Sequence, residues 1–140
     1  MFNETTSAYG FSTGLFATRK VKGDSLIVGG IAADQSRWVR ILSYRAAQLL
    51  WFQLTQMLYP EKEMAVTTSM TTAPMRNAGL PTITTHVTVE ELLNGGYGIT
   101  GWVGSKTWQA DLTQGETEQF LVALDHALYP YELNNRQIQH

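Results

Sequence analysis

The chain has 140 residues, of which 44% are hydrophobic and 16% are charged. This length predicts one domain with a core of its own, and a formal net charge of −2 offers no cationic footprint for nucleic acid. The absence of cysteine excludes disulfides, thiolate nucleophiles and cysteine-based metal sites.

The first residues lack the basic and apolar regions of a signal peptide, and no stretch approaches the roughly 18 apolar residues of a membrane span. We therefore expect a soluble, cytoplasmic protein with neither a membrane nor a nucleic-acid partner. Residues 1–8 and 131–140 are mostly polar and are expected to be loose tails of a single domain over 1–140.

The first predicted elements form a hairpin. Residues 9–21 mix aromatic, small and threonine residues, 22–25 supply a turn, and 26–28 have the composition of a short buried strand. Gly29 and Gly30 are then expected to form a turn that leads into a long helix.

That helix is predicted over residues 34–58. Apolar residues recur there at helical spacing, Asp34 or Ser36 can cap the first turn, and Pro60 ends the helix. Four large residues lie off the main apolar stripe, namely Ile41, Tyr44, Trp51 and Phe52. Either another segment of the chain covers them or a second copy does, and we predict a homodimer with these residues in or beside its interface.

Two strands are predicted after the long helix, at 66–72 and 82–87, with a proline-containing loop at 73–81 between them. Residues 89–94 have two interpretations: a short helical turn with capping-box spacing, or a continuation of the strand to a turn at Asn94-Gly95. The alternation of Val87 and Val89 favours the strand.

A second hairpin is predicted over residues 97–112, with Gly104-Ser105 as a type II′ turn. This turn fixes the register, because a slip of one residue would move every side chain to the opposite face. The predicted apolar pairs are Val103 with Lys106, Gly101 with Trp108, Ile99 with Ala110, and Tyr97 with Leu112.

A second helix is predicted over 114–128, where Thr113 and Glu116 have capping-box spacing. Both predicted helices end in Leu-Tyr-Pro, 70 residues apart. A duplicated strand–strand–helix unit would explain this, but the strand segments do not align, so coincidence is the favoured interpretation.

The candidate ligand-binding residues are few. His86 lies on a strand, where it would share a face with Thr84 and Thr88, and Arg76 lies in the longest loop. The glycine pair Gly29-Gly30, followed by a helix start and Arg37, could bind an anion, although no P-loop or dinucleotide fingerprint is present. No spacing supplies three converging ligands, so neither a metal nor a cofactor is expected.

In overall length and in the region from Thr82 to Trp102, including Asn94-Gly95-Gly96, the chain resembles a small family of cyanobacterial proteins. That resemblance implies no activity, cofactor or ligand.

The predicted fold is a two-layer α+β domain: a largely antiparallel sheet with the helices at 34–58 and 114–128 on one face. The favoured function is a noncatalytic interaction or regulatory module that self-associates. The alternative is a small-molecule binding protein or enzyme with a pocket between the sheet and the long helix.

Overall fold

The structure is a computed structural model that describes residues 6–19, 25–61 and 83–129. Within these ranges eight strands and two helices follow one another in the order β1 (Thr6–Phe11), β2 (Thr13–Arg19), β3 (Ser25–Ile31), β4 (Arg37–Ser43), α1 (Tyr44–Leu58), β5 (Ile83–Thr84), β6 (His86–Glu91), β7 (Tyr97–Val103), β8 (Lys106–Leu112) and α2 (Gln114–Leu128).

The strands form two four-stranded sheets. Sheet A has the order β1-β8-β7-β6 and sheet B the order β2-β3-β4-β5. In each sheet three strands are antiparallel and the fourth is added in parallel, β1 against β8 and β5 against β4. Helix α1 packs against β6 of sheet A, α2 packs against β2 of sheet B, and the helices contact each other. The predicted α+β class is confirmed, with two sheets where the sequence predicted one.

Each half of the chain repeats the same sequence of elements. The chain crosses from sheet A to sheet B at Ser12, between β1 and β2, and crosses back at Thr85, between β5 and β6. A meander of three strands and then a helix follow each crossing. The first strand of each half pairs within the sheet that the other half's meander forms. The fold is therefore an internal two-fold repeat.

Matching contacts identify the equivalent residues of the two halves. Ser43 and Thr113 cap helices of 15 residues each by accepting a hydrogen bond from a first-turn backbone N–H. In the hairpins, Trp38 lies opposite Gly30, and Trp108 lies opposite Gly101. The tryptophans are 70 positions apart and the glycines 71, because seven residues lie between Gly30 and Trp38 and six between Gly101 and Trp108. That insertion hides the repeat from an alignment at constant offset, and our interpretation of the Leu-Tyr-Pro endings as coincidence is wrong.

The long helix begins at Tyr44, ten residues later than predicted. Asp34 does not cap it; its carboxylate accepts hydrogen bonds from the hydroxyl and the backbone N–H of Ser36 within the β3–β4 turn. These bonds lower the pKa of the Asp34 carboxyl. Gln35 in the same turn has φ +75°, outside the helical region. Residues 37–43 form β4, in which Trp38 and Leu42 are buried and Val39 between them is exposed, as the alternation of side chains along a strand requires.

The predicted register of the 97–112 hairpin is confirmed at all seven pairs from Tyr97–Leu112 to Val103–Lys106. Gly104 has φ +63°, and Ser105 does not have a positive φ, as a type II′ turn requires. The predicted hairpin of segments 9–21 and 26–28 is confirmed in part: β2 pairs with β3, but residues 9–11 belong to β1 in sheet A, and residues 22–24 of the predicted turn lie outside the described residues.

The strand interpretation of residues 89–94 is confirmed as far as Glu91, and a turn with Gly95 at φ +94° follows. The predicted strand at 82–87 bends at Thr85, so the Thr84 side chain faces the core and does not share a face with His86. The predicted strand at 66–72 and loop at 73–81, with Arg76, lie outside the described residues.

The core is centred where the two crossing strands meet the paired tryptophans. The rings of Trp38 and Trp108 are 5.6 Å apart, and Tyr9 stacks on Trp38 at 4.6 Å. Each indole N–H donates to a hydroxyl at or next to a crossing point: Trp38 to Ser12 at 3.1 Å, and Trp108 to Thr84, the residue before Thr85, at 3.0 Å. These hydrogen bonds satisfy the polar atoms of two buried aromatic side chains.

Candidate functional site

The outer face of sheet B, on the side away from the core, is apolar. Its residues alternate along β2, β3 and β4 with side chains that face inward. They are Phe16, Ile27, Ile31, Val39 and Ile41. Phe16 is 41% exposed and Val39 56% exposed, and the three isoleucines are half-buried. Contiguous exposed apolar side chains of this kind mark interaction surfaces, whereas single ones are ordinary.

The equivalent face of sheet A provides an internal comparison. The residues equivalent to Phe16, Ile27, Ile31, Val39 and Ile41 are Thr88, Gly98, Trp102, Gln109 and Asp111. Only Trp102 is apolar among these five, and it is half-buried with its ring 5.3 Å from that of His86. The fold itself therefore does not require apolar residues at these positions, and the apolar face is specific to sheet B.

The four predicted interface residues occupy different environments. Ile41 lies in β4, on the outer face of sheet B, and not on the helix. Tyr44 and Trp51 contact the end of α2: the Tyr44 hydroxyl is 3.5 Å from the Leu128 carbonyl oxygen, and the Trp51 ring is 5.2 Å from that of Tyr129. Phe52 is half-buried on α1. The chain's own second helix thus meets two of the four side chains.

The structural premise of the predicted anion site is wrong. Gly29 and Gly30 lie within β3, and Arg37 is the first residue of β4 rather than part of a helix start. A Cβ atom at Gly29 would lie 2.5 Å from the Trp38 carbonyl oxygen and 2.8 Å from the Phe16 ring. The glycine therefore permits close packing of neighbouring strands and the ring of Phe16.

His86 is exposed on β6, where Thr88 and Glu90 share its side of the strand. No three His, Asp or Glu side chains of the described residues come together as metal ligands. Buried apolar side chains occupy the junction of α1 and sheet A, among them Leu50, Leu54, Val87 and Val89.

Open clefts lined by described residues include the following two. One, of about 500 Å³, lies between the β6–β7 turn, Phe11 and the start of α2 at Thr113. The other, of about 330 Å³, lies beside β2 and is lined by Ala17, Thr18, Arg19, His126 and Ala127. The second cleft follows an edge strand of sheet B.

Gln53 closes the equivalent edge of sheet A. The side-chain amide of Gln53 donates to the Val87 carbonyl oxygen and accepts from the Val89 backbone N–H, both at 2.9 Å. Gln53 falls within the helix predicted over 34–58, but the sequence pattern does not indicate these partners. The carboxamide occupies the place that a peptide bond of an added strand would take.

Replacing Gln53 with alanine should lower the free energy of unfolding by about 1–2 kcal/mol, because two hydrogen bonds to partly buried backbone groups are lost. Gln56 is an exposed residue of the same helix and provides the matched control. Urea unfolding should show a change below about 0.5 kcal/mol for Gln56→Ala. Equal losses for the two variants would mean that the Gln53 hydrogen bonds contribute nothing.

Neither a scan against protein-family models nor a search of the curated proteins gives a match. Of the helices in the described ranges, neither has the length and apolar character needed to cross a bilayer.

Proposed function

We propose that this protein is a noncatalytic interaction module that forms a homodimer, with two copies meeting through the outer face of sheet B. The observation that carries the proposal is the contrast between the two equivalent sheet faces. Sheet B has Phe16 and Val39 exposed where sheet A has Thr88 and Gln109. An apolar surface that the fold does not require is best explained by a partner that covers it.

The arrangement of this face suits a symmetric contact. Apolar side chains occupy its centre, while Thr13, Thr18 and Arg37 are exposed at its margins. An apolar centre with a polar rim is typical of protein interfaces. In a two-fold dimer the same patch serves both copies, so no second surface is needed.

The expected energies favour a dimer that dissociates on dilution. Full burial of a valine, isoleucine or phenylalanine side chain stabilises by about 1.5–3 kcal/mol, and each copy would bury the remaining exposed part of five such residues. Association costs about 4–15 kcal/mol in translational and rotational freedom. Only the excess of the first term over the second contributes to affinity, so we expect a dimer that dissociates on dilution and not a permanent one.

Val39→Gln tests the proposal, because it installs the residue that sheet A has at the equivalent position. We expect the dimer dissociation constant to rise at least tenfold, about 1.4 kcal/mol, with the fold unchanged by circular dichroism. Sedimentation equilibrium over a dilution series measures the dissociation constants of the wild type and of the variant.

Val122→Gln is the matched control. Val122 is 55% exposed, close to the 56% of Val39, but lies on α2 away from the apolar face. This variant should associate like the wild type. Equal dissociation constants for all three proteins would place the interface elsewhere. The cytoplasmic location expected from the sequence stays a prediction.

A further inference from the structure

The β2 edge of sheet B lacks the device that closes the β6 edge of sheet A. The residue equivalent to Gln53, 70 positions later, is Ala123, which has no amide. Ala17 of β2 corresponds to Val89 of β6, because Ala17 lies opposite Val28 and Val89 lies opposite Ile99, the equivalent residue of the next strand. The two edges can therefore be compared from this residue to the end of each strand.

The backbone groups of β2 point outward as those of β6 do. The hydrogen bond from the Ala32 N–H to the Ser36 carbonyl oxygen sets the alternation of the β3–β4 ladder, in which Val28 bonds with Arg40. Ala17, opposite Val28 on the other side, must then turn its N–H away from β3. The Ala17 carbonyl has the same direction, because the N–H and C=O of one residue in an antiparallel strand point to the same side. Within the described residues, neither group has a hydrogen-bond partner.

Side chains also leave the β2 edge open. Strand β6 carries Glu90 and Glu91 near its end, and charges of this kind discourage pairing with another strand. The equivalent residues of β2 are Thr18 and Arg19. Arg19 is turned toward α2, where its guanidinium donates to the Ala127 and Leu128 carbonyl oxygens at 3.3 and 3.1 Å.

We propose that the β2 edge binds an extended segment of a partner protein, which adds to sheet B as a fifth strand. The Gln53 amide on the other sheet shows which groups the ligand must present to the edge. It offers one N–H donor and one carbonyl acceptor, in the place that a peptide bond would take. Main-chain hydrogen bonds supply affinity in this mode of recognition, and alternate side chains supply specificity.

The surroundings of the edge define which side chains the segment carries. Its outward-facing residue lies beside Phe16, which is 41% exposed, so an aromatic or β-branched residue fits there. Its inward-facing residue enters the cleft of about 330 Å³ beside Ala17 and Ala127. This site does not depend on the proposed dimer, because a contact between outer faces leaves the edges at the periphery.

The test uses a displayed library of random twelve-residue peptides selected on the wild-type protein. Selected peptides should alternate apolar and polar residues and should slow hydrogen exchange of the Ala17 amide at least tenfold when bound. Ala123→Gln copies the capping amide of α1 and should weaken their binding at least tenfold. Ala17→Pro removes the outward N–H without touching the ladder to β3 and should have the same effect.

Gln56→Ala is the control, since Gln56 is an exposed residue of α1, outside β2 and α2, and its replacement should leave the peptide affinity unchanged. The proposal is overturned if no peptide is selected, or if the selected peptides bind Ala123→Gln and Ala17→Pro as they bind the wild type. A fall in the dimer mass of these two variants would show that a second copy occupies the edge, which also overturns it. Dimer dissociation by Val39→Gln with peptide binding intact would separate this site from the proposed interface.

Discussion

Replacing Trp108 with alanine is expected to lower the free energy of unfolding by about 3–5 kcal/mol, the usual loss for a buried tryptophan. Trp108 is 1% exposed, packs against Trp38, and donates its indole N–H to the Thr84 hydroxyl. Removal leaves a cavity at the junction of both sheets and takes the donor from a threonine that is fully buried.

Urea unfolding of Trp102→Ala provides the comparison. Trp102 lies opposite Thr107 in the same hairpin but is half-buried on the outer face of sheet A. The free energy of unfolding lost in Trp102→Ala should be less than half of that lost in Trp108→Ala. Similar losses for the two variants would contradict the central position of Trp108 in the core.

Gly101→Ala is expected to destabilise the protein by about 3 kcal/mol, at the upper end of the range for overpacking. A Cβ atom there would lie 2.3 Å from Cε2 of the Trp108 ring. The ring is buried and hydrogen-bonded, so it has no space in which to move aside. The backbone of Gly101 has an ordinary φ, so the cost arises from packing alone.

Gly115→Ala is the matched control, because a Cβ atom there meets nothing within 4 Å. Gly115 lies in the first turn of α2, where alanine is favoured by up to about 1 kcal/mol. In thermal or urea unfolding, Gly101→Ala should lower the free energy of unfolding and Gly115→Ala should raise it. A neutral Gly101→Ala would mean that the contact with Trp108 is looser than the structure shows.

Local signals predicted part of this fold correctly. The register of the second hairpin follows from Gly104-Ser105 and the alternation of neighbouring residues, and α2 follows from its cap and its apolar stripe. These features depend on residues close together in the chain, where propensity and patterning act directly.

The division into two sheets depends on contacts between distant parts of the chain. Strand β1 pairs with β8, about 100 residues later, and no pattern within either strand indicates the partner. The crossings at Ser12 and Thr85 interrupt what the sequence presents as continuous strands. Parallel pairing of this kind is decided by tertiary packing and not by local preference.

The candidate surface was missed for a related reason. Val39 falls within the helix predicted over 34–58, whereas in β4 it is exposed and next to Ile41 on one face of a strand. The alternation of Trp38, Val39, Arg40, Ile41 and Leu42 was the available signal, because β-branched and aromatic residues favour strands. Phe16 was not identified, because its exposure depends on the face that β2, β3 and β4 form together.

The most direct test of self-association through sheet B is the mass of the wild-type protein in solution. Light scattering after size exclusion, at tens of micromolar, should give a value near twice the 15.6 kDa of one chain, falling toward 15.6 kDa for Val39→Gln at the same concentration. A wild-type mass of 15.6 kDa would contradict the account, since the apolar face of Phe16 and Val39 would then remain uncovered by a second copy.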